Sequence, residues 1–438
     1  MISTIKYKGI IQSVYLLFLA AIFFLPLERI GSFAFGGMNI RISQLLVVLI
    51  FIIYIFYSFY KKKFIVDFPV PLLYYVLFLC VCLFSLFFAH NRVRGTMVTA
   101  FLIFMIIVPY VTVFVVDKKE KLQKVINVFL SSAVVFSLFG LFQFAGGMIG
   151  LPNSITGLSE RYDKLVLGFP RIQSTFIEPL YFANYLMIPI MLALFFLIKR
   201  IDKKKSWYFV VLFLLFLGVF VLTISKGAIA SFGIVALSNL LFQIRSVFNR
   251  KNILYLFGIV AFISVVAWGL YSTLQSTTDF EKDYKKAYDI LTGGSITERQ
   301  ESSDVAIEAF NNNIILGIGV GNFGPYFAGY PTSAPDYGWS IVNNQYLEIL
   351  SELGLTGFAI FFIFIFSIFY YSLKAYKRTQ DLYLRTTLLA LNFAFFGVII
   401  QYLTFSTLYI MHIWILIGLI LAIQQIIFKH HKDYIKSQ

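Results

Sequence analysis

Long apolar runs separated by short polar or charged segments recur along the whole chain. Each run is about 20 residues long, the length that an α-helix needs to cross the hydrocarbon core of a bilayer. The strands of a transmembrane barrel would instead alternate polar and apolar residues. The pattern therefore predicts an all-α integral membrane protein with about twelve spans. They fall near residues 10–27, 42–60, 70–89, 96–116, 125–143, 176–198, 207–223, 227–243, 253–273, 345–373, 385–405 and 407–428.

Composition agrees with this pattern. Of the 438 residues, 59% are hydrophobic and 13% are charged, and the mean hydropathy is +0.83. Soluble globular proteins are roughly 45–50% apolar. We expect one polytopic membrane domain over residues 1–438, with an uncleaved first span because the first apolar run lacks a small-residue cleavage pattern.

The net charge of +15 comes largely from short basic runs between spans, such as 61–63 and 203–205. In a soluble chain this excess would favour nucleic acid, but between spans it indicates topology, so no nucleic-acid partner is expected. With the N-terminus in the cytoplasm, most of the 36 Lys and Arg residues fall in inside segments. The positive-inside rule thus predicts that both termini are cytoplasmic.

In this orientation the long connections lie outside. They are an outer loop over 144–175 and a large outer loop over 274–344, both longer than the usual connections of compact domains. In the second loop, Ser295 is followed three residues later by Glu298, a capping-box pattern that predicts a helix reaching about Phe310. We therefore expect the protein to act at the outer face.

Several familiar motifs are absent or lack their context. Gly319 to Gly324 fit the GxGxxG spacing, but no strand precedes them and no acidic residue follows at the required distance, so we interpret them as a tight turn. The chain has no Walker lysine, no metal-ligand spacing among its four histidines and no Ser-His-Asp set on one side of the membrane. We expect neither a metal nor a cofactor.

Four polar clusters lie on the predicted outer face: residues 171–184, 225–227 and 343–348 at the ends of spans, and residues 297–299 at the start of the helix predicted in the large outer loop. Ionisable groups at a span are functional candidates because they are costly to place there, although a group at a span end reaches water cheaply. Arg171, Lys226 and Arg299 supply three cations without a neighbouring acidic run.

The ordered set of these segments resembles the superfamily of O-antigen ligases and Wzy-type O-antigen polymerases. The similarity covers roughly residues 170–360 and includes the large outer loop. It rests on Arg171-x-x-Ser174-Thr175-Phe176 with Pro179 and Ala183, Ser225-Lys226-Gly227, Gly317-Ile318-Gly319 with Gly321-Asn322-Phe323, and Asn344-x-Tyr346-Leu347-Glu348 with Glu352-x-Gly354-Leu355-x-Gly357.

The resemblance implies a GT-C-like fold and a metal-independent, inverting glycosyl transfer at the outer face of the bacterial plasma membrane. The donor and the acceptor would be polyprenyl-diphosphate-linked oligosaccharides, as in the synthesis of capsule or exopolysaccharide. It also implies a flippase and chain-length regulator proteins as partners. In this setting Arg171 is the candidate catalytic cation, and the candidate substrate-binding residues are Lys226, Arg299, Thr175, Asn343, Asn344 and Tyr346. Fixed cations stabilise a diphosphate leaving group, and the planar fork of Arg suits phosphate oxygens.

The acceptor hydroxyl needs a base, and this chain departs from the ligase pattern there. Ligase members carry His immediately before the Asn of the fourth motif, whereas this chain carries Asn343, whose amide cannot take the proton. The candidate base is therefore Glu178, which would lie about two helical turns from Arg171 if the segment were helical. An ion pair with Arg171 or another loop cation is the alternative role for Glu178, and helix-dipole complementation is the alternative for Glu348 and Glu352.

These observations favour a polysaccharide polymerase. A ligase of the same superfamily is the nearest alternative, and Asn343 in place of His separates the two. A lipid-linked-sugar flippase or other transporter would instead be expected to show repeated halves and interrupted helices with ionisable groups near the bilayer midplane. A non-catalytic scaffold would leave the three outer cations unexplained.

Overall fold

The computed structural model describes residues 2–30, 32–35, 38–62, 68–159, 169–242, 299–331, 338–406 and 408–436. A short antiparallel hairpin, β1 (Phe33–Phe35) and β2 (Met38–Ile40), precedes the second helix. The helices are α1 (Ile2–Phe23), α2 (Ile42–Lys61), α3 (Val70–Ser85), α4 (Arg92–Val115), α5 (Lys119–Met148), α6 (Asn153–Thr156), α7 (Pro179–Ile198), α8 (Ser206–Leu222), α9 (Lys226–Phe242), α10 (299–312), α11 (Phe323–Phe327), α12 (Gln345–Arg378), α13 (Leu382–Gln401) and α14 (Met411–Lys436).

Among the described residues, 7 helices are long and apolar enough to cross a membrane: α2, α4, α5, α7, α12, α13 and the Met411–Lys429 part of α14. Shorter apolar helices are α3, α8, α9 and the Gln12–Phe23 part of α1. The all-α membrane fold is thus confirmed. The number of spans and their orientation stay predictions, and the predicted span at 253–273 and the capping box at Ser295 lie outside the described residues.

Helices α7 and α14 form the centre of the bundle. In their most apolar windows 83% and 89% of the residues are buried, against 33% for the peripheral α2. A helix that is apolar on all sides can lie in a protein core or face lipid, and these two helices lie in the core. Small residues allow close packing around both helices: a Cβ added at Gly397 of α13 would lie 3.2 Å from Met187 of α7, and one at Gly418 of α14 would lie 2.7 Å from Thr112 of α4.

The connections that the sequence predicts outside meet at one end of the bundle, which we call the site end. Thr175 Oγ1 donates to the Pro26 carbonyl at 2.7 Å, and the Asn91 N–H donates to Asn322 Oδ1 at 2.7 Å. At the opposite end, connections predicted inside contact one another, as in the ion pair between Lys119 Nζ and Asp381 Oδ2 at 2.5 Å. These contacts place the joined connections at two opposite ends of the bundle.

The glycine-rich segment at 317–324 forms the tight turn that the sequence predicts. Gly317, Gly319 and Gly321 all have positive φ angles, of 70°, 97° and 72°. A Cβ at Gly317 would lie 2.3 Å from the Glu352 carbonyl carbon, so the backbone itself packs against α12. The Glu352 carboxylate accepts the N–H groups of Gly321 and Phe323 at 2.8 and 3.0 Å, and it thereby fixes the turn before α11.

Candidate functional site

Three cations that are far apart in the sequence come together at the site end. Arg171 Nε donates to the Thr223 carbonyl at 3.4 Å, just before α9, and Lys226 is the first residue of that helix. Arg299, at the start of the described part of α10, donates through Nη1 to the Thr404 carbonyl at 2.9 Å. The Lys226 ammonium group interacts electrostatically with the guanidinium groups of both Arg171 and Arg299. We call these three residues the cation cluster.

A single glycine allows the connection between α13 and α14 to approach the cation cluster. A Cβ added at Gly227 would lie 2.4 Å from Thr404 Oγ1 and 2.9 Å from Thr404 Cβ. Thr404 is held in place because its N–H and its hydroxyl both donate to the Gln401 carbonyl, at 2.8 and 2.9 Å. The same residue therefore packs on the loop that carries Lys226 and supplies the carbonyl that binds Arg299.

Sequence reasoning did not identify Thr404. The only sequence signal is the glycine in Ser225-Lys226-Gly227, since a glycine after a short turn often marks a close backbone approach. The partner that makes this approach follows 177 positions later in the chain, and only tertiary packing specifies it.

Glu178 is the N-cap of α7 and adopts an extended conformation, with φ −135° and ψ 149°. The segment from Arg171 to Ile177 is not helical, so the spacing of two helical turns between Arg171 and Glu178 does not apply. Pro179 at the first helical position explains the boundary, because proline disfavours helical geometry in the preceding residue. Arg171 instead contacts the end of α8, and Glu178 interacts electrostatically with Glu28 after α1.

Glu28 is a second acidic residue that lies close to Glu178. It is only 2% exposed, and its Oε1 lies 3.4 Å from Nη1 of Arg41, just before α2. Burial raises the pKa of Glu28, an effect that the Arg41 charge and the Ile177 N–H oppose and that the Glu178 charge reinforces. We call Glu28 and Glu178 the acidic pair. The sequence signal for Glu28 is an ionisable residue directly after an apolar run.

The fourth segment of the resemblance begins α12. Asn344 is the helix N-cap, and its Oδ1 accepts the N–H groups of Tyr346 and Leu347 at 3.0 and 3.3 Å. The Tyr346 hydroxyl donates to the Ile399 carbonyl of α13 at 2.7 Å. Asn343 has a left-handed backbone, with φ 58°, a conformation in which Asn is enriched.

Thr175 is 3% exposed, and its hydroxyl is bound to Pro26 as described above. Its carbonyl also accepts the N–H of Arg29 at 3.0 Å. Thr175 therefore joins the connection after α1 to the segment before α7. The substrate-binding roles expected for Thr175, Asn343, Asn344 and Tyr346 stay predictions. The contacts of Thr175, Asn344 and Tyr346 also stabilise the segments that meet at the site end.

Arg94 is a further residue of the site end that sequence reasoning missed. Its Nε donates to the Gly321 carbonyl at 2.6 Å, and its guanidinium group lies 5.3 Å from the ring centroid of Trp339. The Glu348 carboxylate faces Arg94 and the backbone of Val342. Arg94 thus joins the start of α4 to the glycine-rich turn and to the acidic first turns of α12.

A polar network continues from the site end into the bundle core. His412 Nε2 lies 2.8 Å from Asn184 Oδ1, and Asn184 Nδ2 donates to Gln401 Oε1. All three side chains are at most 1% exposed. Because the Gln401 carbonyl also binds Thr404, the network connects α7 and α14 to the support of Arg299. Within the described ranges, no group of three or more His, Cys, Asp or Glu side chains is placed to hold a metal ion.

Comparison with known families agrees with the sequence resemblance. Residues 210–362 match the family described as O-Antigen ligase. The matched region runs from α8 into α12 and contains Lys226, Arg299 and Asn343, whereas Arg171 and Glu178 precede it. No curated protein matches the chain significantly.

The structure is that of an all-α, multi-pass membrane protein, and its residues 210–362 are similar to the O-antigen ligase family. The resemblance to the O-antigen ligase and Wzy superfamily is thereby confirmed over residues 210–362.

Proposed function

We propose that the protein is a polysaccharide polymerase of the bacterial plasma membrane. It transfers a polyprenyl-diphosphate-linked glycan onto a lipid-linked repeat unit at the outer face. The observation that carries the proposal is the cation cluster: Arg171, Lys226 and Arg299 share one location although they belong to three separate segments. Three positive charges near one another repel, and a diphosphate is a ligand that relieves this repulsion.

The transfer breaks the bond between the anomeric carbon and the diphosphate oxygen while an acceptor hydroxyl oxygen bonds to the same carbon from the opposite side. Negative charge grows on the departing diphosphate, and the cation cluster stabilises it. Backbone carbonyls hold Arg171 and Arg299 before substrate arrives, so little reorganisation is needed as the charge develops.

The proton of the acceptor hydroxyl goes to Glu178 in this proposal. Glu178 is half-buried at the lip of α7, and the second carboxylate of the acidic pair lies close enough to interact with it electrostatically. A carboxylate at this position can accept the proton as the hydroxyl oxygen bonds to the anomeric carbon.

Ligase activity is the second candidate, because the matched family is described as O-Antigen ligase. A ligase would transfer the glycan to a different acceptor, such as a lipid core, a wall polymer or a protein. Asn343 stands where ligases of the superfamily carry a His, and its amide cannot accept a proton. This difference favours the polymerase.

The test is a transfer assay with purified protein in lipid nanodiscs. The protein receives a polyprenyl-diphosphate-linked repeat unit and no other acceptor. A ladder of product lengths is expected from the polymerase. Transfer that appears only after a second acceptor is added would establish the ligase instead. In the same assay Glu178→Gln is expected to lose most of the activity, and full activity of this variant would exclude Glu178 as the base.

A further inference from the structure

A cavity of about 290 Å³ lies at the end of the bundle opposite the cation cluster. It is bounded by the start of α3, the last turns of α12 and the C-terminal half of α14. Its lining combines the aromatic side chains of Phe68, Tyr371 and Phe428 with three cationic ones, Lys374, Arg378 and Lys429. Among the described residues, the lining contains no Asp or Glu.

Among the residues whose side chains the structure describes, none of the ion pairs with Asp or Glu involves Lys374, Arg378 or Lys429. Asp381 follows soon after α12, but it is paired with Lys119. The Arg378 guanidinium lies 5.4 Å from the ring centroid of Phe428, so an aromatic face holds it at the edge of the cavity.

The level of this cavity along α12 fits the boundary between hydrocarbon and headgroups. Helix α12 is interrupted at Gly354, with φ 60° and ψ −163°, and its part from Leu355 to Arg378 extends about 36 Å at 1.5 Å per residue, beyond a hydrocarbon core of about 30 Å. Its apolar part ends at Leu373, directly before Lys374. Tyr370 and Tyr371 stand at the same level, where aromatic residues are enriched in membrane proteins.

We propose that this cavity binds the phosphate group of an anionic phospholipid. The three cations would contact the phosphate, and the acyl chains would lie along the aromatic and apolar lining. A soluble phosphate ion would use the cations but not the apolar lining, and the placement at a helix end of the membrane bundle favours the lipid. Basic cavities between transmembrane helices are typical sites for such headgroups.

The experiment measures lipid retention in nanodiscs made from equal parts of phosphatidylglycerol and phosphatidylcholine, followed by native mass spectrometry. The pocket variant is Lys374→Gln/Arg378→Gln/Lys429→Gln. The matched control is Lys203→Gln/Lys204→Gln/Lys205→Gln, which removes the same charge from exposed positions at the same end of the bundle but outside the cavity. Both variants are first checked for insertion and for thermal stability.

Wild type and the control are expected to retain phosphatidylglycerol preferentially, and the pocket variant is expected to lose this preference about tenfold or more. Equal retention by wild type and the pocket variant would overturn the proposal, as would an equal loss in the control. Two further arms identify the source of the phosphate. Displacement of the lipid by millimolar inorganic phosphate, or preferential retention of added polyprenyl phosphate, would contradict an anionic phospholipid as the occupant.

Discussion

Gly227 and Thr404 touch at the site end, and their contact brings two cations of the cluster together. Any side chain at position 227 would occupy the space of the Thr404 side chain, since an added Cβ lies 2.4 Å from Thr404 Oγ1. Lys226 adjoins the glycine, and Arg299 binds the Thr404 carbonyl. The distance between the charges of Lys226 and Arg299 thus depends on the absence of a side chain at position 227.

Gly227→Ala is expected to lower transfer activity by pushing the connection that carries Thr404 away from Lys226. Overpacking of this kind costs about 1–3 kcal/mol, so the melting temperature should fall as well. The double variant Gly227→Ala/Thr404→Gly should recover most of the activity, because it removes all the Thr404 side-chain atoms that the new methyl group meets. Both variants are measured by product formation and thermal unfolding.

Gly233→Ala is the control in the same helix, because a Cβ at that position meets nothing within 4 Å. The control should keep full activity and gain a little stability from the better helix propensity of Ala. If Gly227→Ala behaves like Gly233→Ala, the close contact has no role in the site.

Arg94→Ala should loosen the glycine-rich turn without removing a member of the cation cluster. The variant loses the hydrogen bond to the Gly321 carbonyl and the stacking on Trp339, for an expected cost of about 1.5–3 kcal/mol. Hydrogen exchange of the amides at 317–324 should become faster. Arg92→Ala removes a more exposed arginine two residues away and should leave this exchange unchanged; equal acceleration in both variants would contradict the role of Arg94.

The acidic pair predicts a pH dependence of stability. Because the pKa of buried Glu28 is raised above its ordinary value of 4.5, the folded protein binds this proton more tightly than the unfolded chain. The resulting stabilisation is fully present below pH 4.5 and is lost as the pH rises through the raised pKa. In wild type the melting temperature should therefore fall over this interval, and Glu28→Gln should flatten the dependence.

Glu301→Gln, on the exposed face of α10, is the control for this titration. It should retain the wild-type profile. A Glu28→Gln profile that is parallel to the wild type over the same pH range would show that Glu28 does not titrate above its ordinary value.

The sequence predicted the helical architecture and identified the three residues of the cation cluster as candidates, each for a physical reason. An apolar run of about 20 residues is long enough for a spanning helix, and the predicted span at 42–60 agrees closely with Ile42–Lys61. The predicted span at 70–89 was too long, because Leu86 to Phe88 form a turn of apolar residues after α3 ends at Ser85, and hydropathy does not distinguish such a turn from a helix. Arg171 and Lys226 were found because each is a charge at the edge of an apolar run, and Arg299 was found because it lies at the start of the helix predicted in the large outer loop.

The hydrogen bonds that hold the site residues in place were less predictable, because they join residues that are far apart in the sequence. Arg299 and Thr404 are 105 residues apart, and Arg94 and Gly321 are 227 apart. In each pair the acceptor is a backbone carbonyl, which every residue carries, so no side-chain pattern reveals it. Asn344 is the exception: an Asn directly before a helix is a recognised N-cap signal, and the structure places it in that position.

The most direct test of the central claim is the affinity of the protein for polyprenyl diphosphate, compared with polyprenyl monophosphate, in nanodiscs of neutral lipid. Wild type should bind the diphosphate more tightly than the monophosphate. Arg171→Gln, Lys226→Gln and Arg299→Gln should each reduce that preference, by about 1.5–3 kcal/mol per lost charged hydrogen bond, while Arg92→Gln should not. Equal affinity of wild type for the two lipids, or an unchanged preference in all three variants, would contradict the assignment of the cation cluster as the diphosphate site.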